Sequence, residues 1–284
     1  MRNKLLAFVG VAAALTLRRD SIFSASHTTA ANKNKMSSIT VEYALNMNSK
    51  EDEEMISKLL DSMEGVEEHT EDWKKQLVLV KASLTSVQVA EALEQTGKQV
   101  RIRGLGNQDK ANLGAAVCIL QTKETKGVVR FIQLSEERVL VEATVHGLSE
   151  GKHGLHIYKT GNISNNGELL SAHYNPKEYN HGHPEDKECH AGDLGNLEAG
   201  KDGKANYRVE SSHFSVPEII GRSIGVTEAA DDLGKEDNEG SRTSGNSGRI
   251  LVCGVIARSA GLFQNPKKIC LCSGATIWEE DKVG

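Results

Sequence analysis

Two cysteines near the end of the chain, Cys270 and Cys272, are separated by a single leucine. In an extended segment their Cα atoms would lie about 6.6 Å apart, with both side chains on one side. Disulfides favour Cα separations of roughly 4.4–6.8 Å, so a bond here would be strained and would exchange readily. In the reduced state, two soft thiolates suit Cu(I) or zinc. The alternative is a pair of unrelated surface cysteines.

A second group of candidate ligands lies in the stretch SAHYNPKEYNHGHPEDKECHAGDLGN, which contains His173, His181, His190 and Asp193. Three imidazoles and a carboxylate form a four-ligand set for zinc that leaves no open position. The intervening residues are rich in Gly, Pro, Asn and acids, so a zinc ion could hold this loop in place. The alternative is a solvated, histidine-rich loop. Cys189, beside His190, is either a spare ligand or a bystander.

The elements that must position these residues change in character along the chain. Residues 39–46 alternate like a strand, and residues 51–63 place apolar side chains on one helical face. The following residues complete the order βαββαβ, a split βαβ unit. From about residue 112, short alternating strands predict a β sandwich or barrel. The stretches 158–195 and 228–248 are long and loop-like, which is typical of functional or metal-held segments.

Composition narrows the function and the compartment. The chain has 284 residues, a net charge of -5 and five cysteines. We therefore expect no nucleic-acid partner, and an odd, sparse cysteine set is no secreted disulfide framework. The apolar run near the N-terminus is too short for a stable membrane span. We expect a cytoplasmic protein, with a mitochondrial intermembrane-space form through the N-terminal extension. Secretion is less favoured, and translation from Met36 is an alternative start.

Longer motifs resemble a known family. HGLHIYKTGN, AHYNP, HGHPEDKECHAGDLGN, ADDLG and SGNSGRILVCGVIARSAG resemble the copper/zinc superoxide dismutase domain. AGLFQNPKKICLCSGATIWEE is similar to the third domain of copper chaperones for superoxide dismutase, and LEQTGKQVRIRGLGN resembles their first domain. The resemblance implies an N-terminal extension (1–35), a ferredoxin-like βαββαβ metallochaperone-like domain (36–106), an all-β Greek-key superoxide-dismutase-like barrel (107–262) and a short flexible C-terminal segment (263–284).

The resemblance also implies roles for residues of the barrel. Its zinc ligands correspond to His173, His181, His190 and Asp193. Asp231, in the motif ADDLG, corresponds to the carboxylate that links the zinc and copper ligand shells of the dismutase.

The copper site of the family does not carry over in full. His156 and His173 match two of the four copper-binding histidines, whereas Tyr158 and Thr227 occupy the other two positions. Two imidazoles lack the ligand set to hold copper through a redox cycle. We therefore expect a non-catalytic scaffold.

Two cysteine motifs are also altered. Where the family has Met-x-Cys-x-x-Cys in the first domain, Met47 remains, but Ser49 and Asp52 replace the cysteines. A hydroxyl and a carboxylate are poor ligands for Cu(I). Cys253 matches one cysteine of the barrel disulfide, while Gly167 stands near the position of the other.

The function implied by the resemblance is that of a copper chaperone. Cys270 and Cys272 would deliver Cu(I) to copper/zinc superoxide dismutase and promote formation of its disulfide. The chain would then be a non-enzymatic metallochaperone with Cu(I) as cargo and a zinc ion, docked on a dismutase subunit as a heterodimer; a homodimer is an alternative. The alternative functions are a zinc-stabilised, non-catalytic dismutase-docking protein and a divergent superoxide dismutase that uses Tyr158 or Thr227.

Overall fold

The computed structural model describes residues 37–107, 113–167 and 170–265, and its first part is a four-stranded sheet with two helices. The strands are antiparallel in the order β2-β3-β1-β4, so β4 lies at one edge. The elements are β1 (Ile39–Leu45), α1 (Lys50–Asp61), β2 (Val66–Asp72), β3 (Leu77–Ala82), α2 (Ser86–Glu94) and β4 (Val100–Gly106).

Both helices of this domain begin where the sequence supplies a capping side chain. The Ser49 side chain accepts a hydrogen bond from the first turn of α1, and Thr85 and Gln88 form a reciprocal capping box at α2. On α1, Ile56 and Leu60 are fully buried against the sheet. Burial of each such side chain contributes about 1.5–3 kcal/mol, which holds the helix on the sheet.

The second part is a barrel of two antiparallel sheets, with strand orders β10-β7-β6-β5-β13 and β12-β11-β8-β9. Its interior is the larger of the two hydrophobic cores in the described ranges. The strands are β5 (Ala115–Gln121), β6 (Lys126–Gln133), β7 (Val139–His146), β8 (Gly151–Tyr158), β9 (Asp193–Ala199), β10 (Ala205–Ser211), β11 (Ser223–Thr227), β12 (Ile250–Val255) and β13 (Ala257–Ser259), with short helices α3 (Val216–Ile219) and α4 (Glu239–Ser244).

The outer face of the barrel packs directly on the first domain. Ile132 and Leu140 of the barrel belong to the first domain's hydrophobic core. Buried Glu142 on β7 accepts hydrogen bonds from the backbone N–H and the hydroxyl of Ser86, the first residue of α2. Arg208 on β10 donates to backbone carbonyls of the first domain. The predicted fold class, a ferredoxin-like domain followed by an all-β Greek-key barrel, is confirmed, whereas the domain boundaries stay predictions.

Several sequence predictions fall outside the described residues. These are the N-terminal extension and the pair Cys270 and Cys272. Within the described ranges, no helix combines the length and apolar character needed to cross a membrane.

Candidate metal centre

Strand pairing and loop contacts bring the candidate ligands together at one place on the barrel. His156 on β8 pairs with Asp193, the first residue of β9. His173, in the long loop after β8, forms an isolated β-bridge with Tyr158. The backbone N–H of His181 donates to a carbonyl oxygen of α4 at 2.9 Å. The loop is therefore tied to the barrel at several points around the histidines.

Three imidazoles converge on a single carboxylate oxygen. Asp193 Oδ1 lies 2.9 Å from His173 Nδ1, 2.9 Å from His181 Nδ1 and 3.4 Å from His190 Nδ1. The other oxygen, Oδ2, accepts hydrogen bonds from the backbone N–H groups of Gly182 and His190 at 3.1 and 3.0 Å. All four side chains are buried. The backbone thus fixes the carboxylate through Oδ2, while Oδ1 faces three ring nitrogens.

The donor atoms of the cluster are placed so that a metal ion could bind among them. The buried Nδ1 of His181 forms no well-aligned hydrogen bond, and it lies 2.9 Å from Asp193 Oδ1, which it shares with two other imidazoles. A buried polar atom without a partner costs free energy unless something binds it. Ligand atoms of His156, His173, His181 and Asp193 lie within 4.8 Å of one another. Imidazole and carboxylate donors with this convergence are a zinc donor set.

Asp231 connects the candidate ligands to the rest of the barrel. Its Oδ1 lies 2.6 Å from His181 Nε2, and its Oδ2 lies 3.0 Å from His156 Nε2. A carboxylate on the second nitrogen of a ligand histidine fixes the tautomer and orients the ring. Asp231 therefore bridges a candidate zinc ligand and the residual copper-site histidine, which is the placement expected from the sequence.

Two residues that support Asp231 were missed by the sequence analysis. Asn196 exchanges two hydrogen bonds with its backbone, at 2.9 and 2.8 Å. Gly245 has a φ of 66°, and a Cβ there would overlap Asp231 Oδ1. A glycine after a short polar stretch is a recognisable helix-end signal, but nothing in the sequence links Asn196 to Asp231.

Burial and the two carboxylates shift the pKa values of the clustered side chains in different directions. Burial lowers the pKa of His173 to about 3, and the like charge of His156 adds to this effect. Burial alone would lower the pKa of His181 too, but Asp193 and Asp231 outweigh it and raise that pKa to about 9. Burial would raise the pKa of Asp193, yet the surrounding histidines hold it well below its usual range. At neutral pH, a metal ion would therefore displace a proton from His181.

The positions that should complete a copper site are occupied by Tyr158 and Thr227, which carry hydroxyl groups and no imidazole. Burial raises the pKa of Tyr158 well above its usual range, so its phenol stays neutral. The Thr227 hydroxyl lies 3.2 Å from the carbonyl oxygen of Ala229. Among the four family positions, His156 and His173 are the two imidazoles, and their rings stack with centroids 4.0 Å apart. This arrangement does not make a redox copper site.

The first-domain loop uses its donor atoms to start α1. The Ser49 hydroxyl accepts from the backbone N–H of Asp52 at 3.4 Å. The Asp52 carboxylate accepts from the backbone N–H of Asn48 at 2.7 Å and lies 2.7 Å from Lys98 Nζ. Met47 is buried in the domain core. The side chains at the two positions where the resemblance implies cysteines are thus held by hydrogen bonds and an ion pair.

The cysteines within the described ranges are free thiols. Burial raises the pKa of Cys118 to about 12, with a further contribution from Cys253, which suits an inert core residue. Cys189 Sγ lies 3.5 Å from His213 Nε2 and outside the cluster of ligand atoms. A Cβ at Gly167 would lie 3.0 Å from Cys253 Sγ. Gly167, which the resemblance places near the other cysteine of the barrel disulfide, therefore lies against Cys253.

Comparison with known proteins agrees with this geometry. Residues 125–256 match the family described as copper/zinc superoxide dismutase (SODC). A human copper chaperone for superoxide dismutase is 46% identical over 242 residues, covering 85% of this chain and 88% of that protein. The copper–zinc superoxide dismutase 5 of Dictyostelium discoideum is 38% identical over 149 residues, covering 51% of this chain and 98% of that protein.

A solved structure shares the barrel. The crystal structure of the clock protein EA4 superposes with a TM-score of 0.50 at 33% sequence identity, covering 52% of this chain and 96% of that one. The similarity to the human relative, in contrast, extends over most of both chains. The chain therefore belongs to the family of copper chaperones for superoxide dismutase, whose members are metallochaperones and not enzymes.

Proposed function

We propose that this protein delivers Cu(I) to a copper/zinc superoxide dismutase and promotes formation of the target's disulfide through Cys270 and Cys272. The observation that carries the proposal is the barrel itself: His173, His181 and His190 surround Asp193, while Tyr158 and Thr227 stand where copper would need imidazoles. Copper is then cargo, carried by Cys270 and Cys272, the only closely spaced pair of cysteines in the sequence.

The two steps make different demands on the thiol pair. In copper transfer, two thiolates hold Cu(I) until ligands of the target replace them, with no change of oxidation state. In disulfide transfer, an oxidant such as molecular oxygen first forms the strained Cys270–Cys272 bond. A thiolate of the target then attacks this bond, and the second target thiol resolves the mixed disulfide, leaving the tail reduced and the target oxidised.

The barrel cluster is the proposed site of a resident zinc ion. His173, His181, His190 and Asp193 would hold it, and the ion would supply binding free energy that stabilises the long loop. Asp231 would orient the His181 ring through the hydrogen bond to its Nε2.

A docking face for the dismutase subunit is proposed at the edge where β5 meets β12. Ile119 on β5 and Val255 on β12 are 60% and 40% exposed, unusual values for large apolar side chains. The two strands approach each other closely here, because a Cβ at Gly254, next to Val255, would collide with the Ile119 carbonyl oxygen. A partner with the same barrel fold can present a matching edge and form a heterodimer. Ile119→Glu should weaken association with the dismutase; unchanged affinity would place the docking face elsewhere.

The compartment remains part of the proposal. We place the protein in the cytoplasm, with a mitochondrial intermembrane-space form directed by residues 1–35. The basic start, apolar run and paired arginines of this extension support the second form. Fractionation of cells that express the chain with and without residues 1–35 tests it, and secretion of the full chain would contradict it.

The decisive experiment is activation of a copper-free, disulfide-reduced dismutase by this protein and Cu(I). Cys270→Ser and Cys272→Ser should each abolish most of the activation, because one sulfur neither retains Cu(I) nor completes the exchange. Cys189→Ser is the matched control, since this buried thiol lies outside the proposed chemistry. Full activation by the double variant Cys270→Ser/Cys272→Ser would rule out the role of the tail. It would favour the alternative of a zinc-stabilised docking protein, which the engaged first-domain loop supports.

A further inference from the structure

The chain leaves the barrel along the free edge of the first domain. Beyond β13, Gly261 forms a parallel β-bridge with Leu105 of β4, and the backbone N–H of Leu262 donates to the Leu105 carbonyl oxygen at 3.0 Å. Because β4 is an edge strand, its outer backbone groups are available to an added segment. The residues that lead into the C-terminal segment occupy part of this edge.

Two glycines of β4 permit this contact. A Cβ at Gly104 would collide with the carbonyl oxygen of Gly261, and a Cβ at Gly106 would lie 3.2 Å from Leu262 Cβ. Glycine within a strand marks a place where another backbone approaches closely. The close approach thus depends on the absence of side chains at both positions.

A buried ion pair fastens the next residues. Glu42 on β1 is only 3% exposed and accepts a hydrogen bond from the backbone N–H of Phe263 at 3.0 Å. Its other oxygen lies 3.3 Å from Arg103 Nη1. Arg103 in turn donates from Nε, at 3.0 Å, and from Nη2 to the carbonyl oxygen of Asn265. A buried carboxylate needs such partners, so displacing the segment would leave Glu42 and Arg103 with unmet hydrogen bonds.

We propose that the first domain anchors residues 261–265 and so determines where the thiols of the C-terminal segment act. This inference rests on the proposed function of Cys270 and Cys272. The anchor consists of the Gly104–Gly106 edge together with Glu42 and Arg103. It gives the first domain a part in copper delivery that needs no metal ligand of its own.

The anchor limits how far the thiols can reach. Cys270 follows Asn265 by five residues, so a fully extended chain carries it at most about 18 Å from the anchor. Cys272 is two residues further, with a limit of about 25 Å. A short tether raises the effective concentration of a group at sites within its reach. A target site within this distance therefore meets the anchored pair more often than a pair on a longer, released segment.

The test removes the anchor in the full-length chain without touching either thiol. Gly104→Ala introduces the Cβ that collides with Gly261. Hydrogen exchange at the amides of Leu262 and Phe263 should accelerate by about tenfold or more. The first-order activation rate constant at saturating dismutase should fall by about threefold or more. The dismutase concentration for half-maximal rate and the Cu(I) affinity of the chain should stay the same. Gly127→Ala is the control, because its Cβ would press on Thr144 at 2.8 Å, within the barrel sheet.

Arg103→Lys is a second variant that is gentler on the fold. Lysine keeps the positive charge beside Glu42 but lacks the planar fork that reaches Asn265. Arg103→Lys should accelerate hydrogen exchange and slow activation to a smaller degree than Gly104→Ala. Arg101→Lys is the control and should change neither, because the Arg101 side chain donates to the Val100 carbonyl oxygen on the same strand.

The outcomes separate the anchor from the chemistry it serves. Faster exchange with an unchanged activation rate constant would overturn the positioning role while leaving the thiol pair's function intact. Unchanged exchange in both variants would overturn the anchor itself. Failure of the unaltered protein to activate dismutase would overturn the proposed function, and the inference with it.

Discussion

The first-domain loop and the barrel cluster are two places where the family resemblance predicts metal chemistry, and they differ in what their donor atoms do. In the loop, Ser49 and Asp52 form hydrogen bonds and an ion pair at the start of α1. In the cluster, His181 Nδ1 forms no well-aligned hydrogen bond and shares Asp193 Oδ1 with His173 and His190. A donor that already has a partner stabilises the apo fold, whereas an unpartnered buried donor favours binding of an ion.

The largest effect should come from removing the carboxylate at the centre of the cluster. Asp193→Ala takes away a candidate ligand and leaves three buried imidazoles without their common partner. We expect loss of zinc and a decrease of about 3–5 kcal/mol in the free energy of unfolding. Metal analysis and denaturant titration measure both. Asp202→Ala, in an exposed turn, is the control. Native zinc content in Asp193→Ala, or no zinc in the unaltered protein, would contradict the assignment.

Cys253 and Gly167 form a third site for this comparison. The resemblance implies a disulfide there, but only one of its two cysteines is present. Gly167→Cys would place a Cβ 3.0 Å from Cys253 Sγ, within range of a disulfide. Closing such a long loop stabilises the fold, but a side chain at a φ of 89° offsets part of the gain. We expect a net increase of about 2–3 kcal/mol in unfolding free energy under oxidising conditions.

Thiol counting and thermal unfolding test this expectation. In a chain that also carries Cys270→Ser and Cys272→Ser, two thiols should disappear on oxidation, and the gain in stability should vanish on reduction or with the added change Cys253→Ser. A full thiol count after oxidation would show that the loop holds residue 167 away from Cys253 in solution.

Cysteines at positions 49 and 52 should let the first-domain loop bind Cu(I), at the cost of the Ser49 helix cap. In a chain carrying Cys270→Ser and Cys272→Ser, we expect no tight Cu(I) binding, because the first-domain donors are hard and already engaged. Adding Ser49→Cys and Asp52→Cys should create one Cu(I) site, while loss of the Ser49 cap costs about 1 kcal/mol. Competition titration with a Cu(I) chelator measures the affinity. Tight binding before the cysteines are restored would show that the loop had kept its metal function.

The smallest expected effect is the release of protons when zinc binds. The pKa of His181 is raised to about 9 in the metal-free protein, so near pH 7.5 this ring is protonated and must lose its proton to bind zinc. His173, with a pKa of about 3, is already neutral and releases none. We expect His181 to supply about one proton per zinc bound near pH 7.5, and none once the pH is well above 9. Calorimetry in buffers of different ionisation enthalpy measures this release, and a pH-independent count would contradict it.

The sequence by itself determined the fold class and the candidate ligands. Alternation in residues 39–46, the apolar face of residues 51–63 and the short strands beyond residue 112 are local patterns, and local periodicity is what backbone geometry imposes on a chain. The histidine-rich motif and the Cys270–Cys272 pair could be read for the same reason, since their chemistry depends on residue type and near spacing.

Only the tertiary structure decided which donors are engaged and which elements meet. Ser49 and Asp52 look merely polar in the sequence, and their hydrogen bonds with the start of α1 appear only once the loop is folded. The contact of Glu42 with Phe263 joins residues more than two hundred positions apart. No local pattern encodes such a pair, because it follows from packing the first domain on the barrel, which brings the chain's exit to the edge of β4.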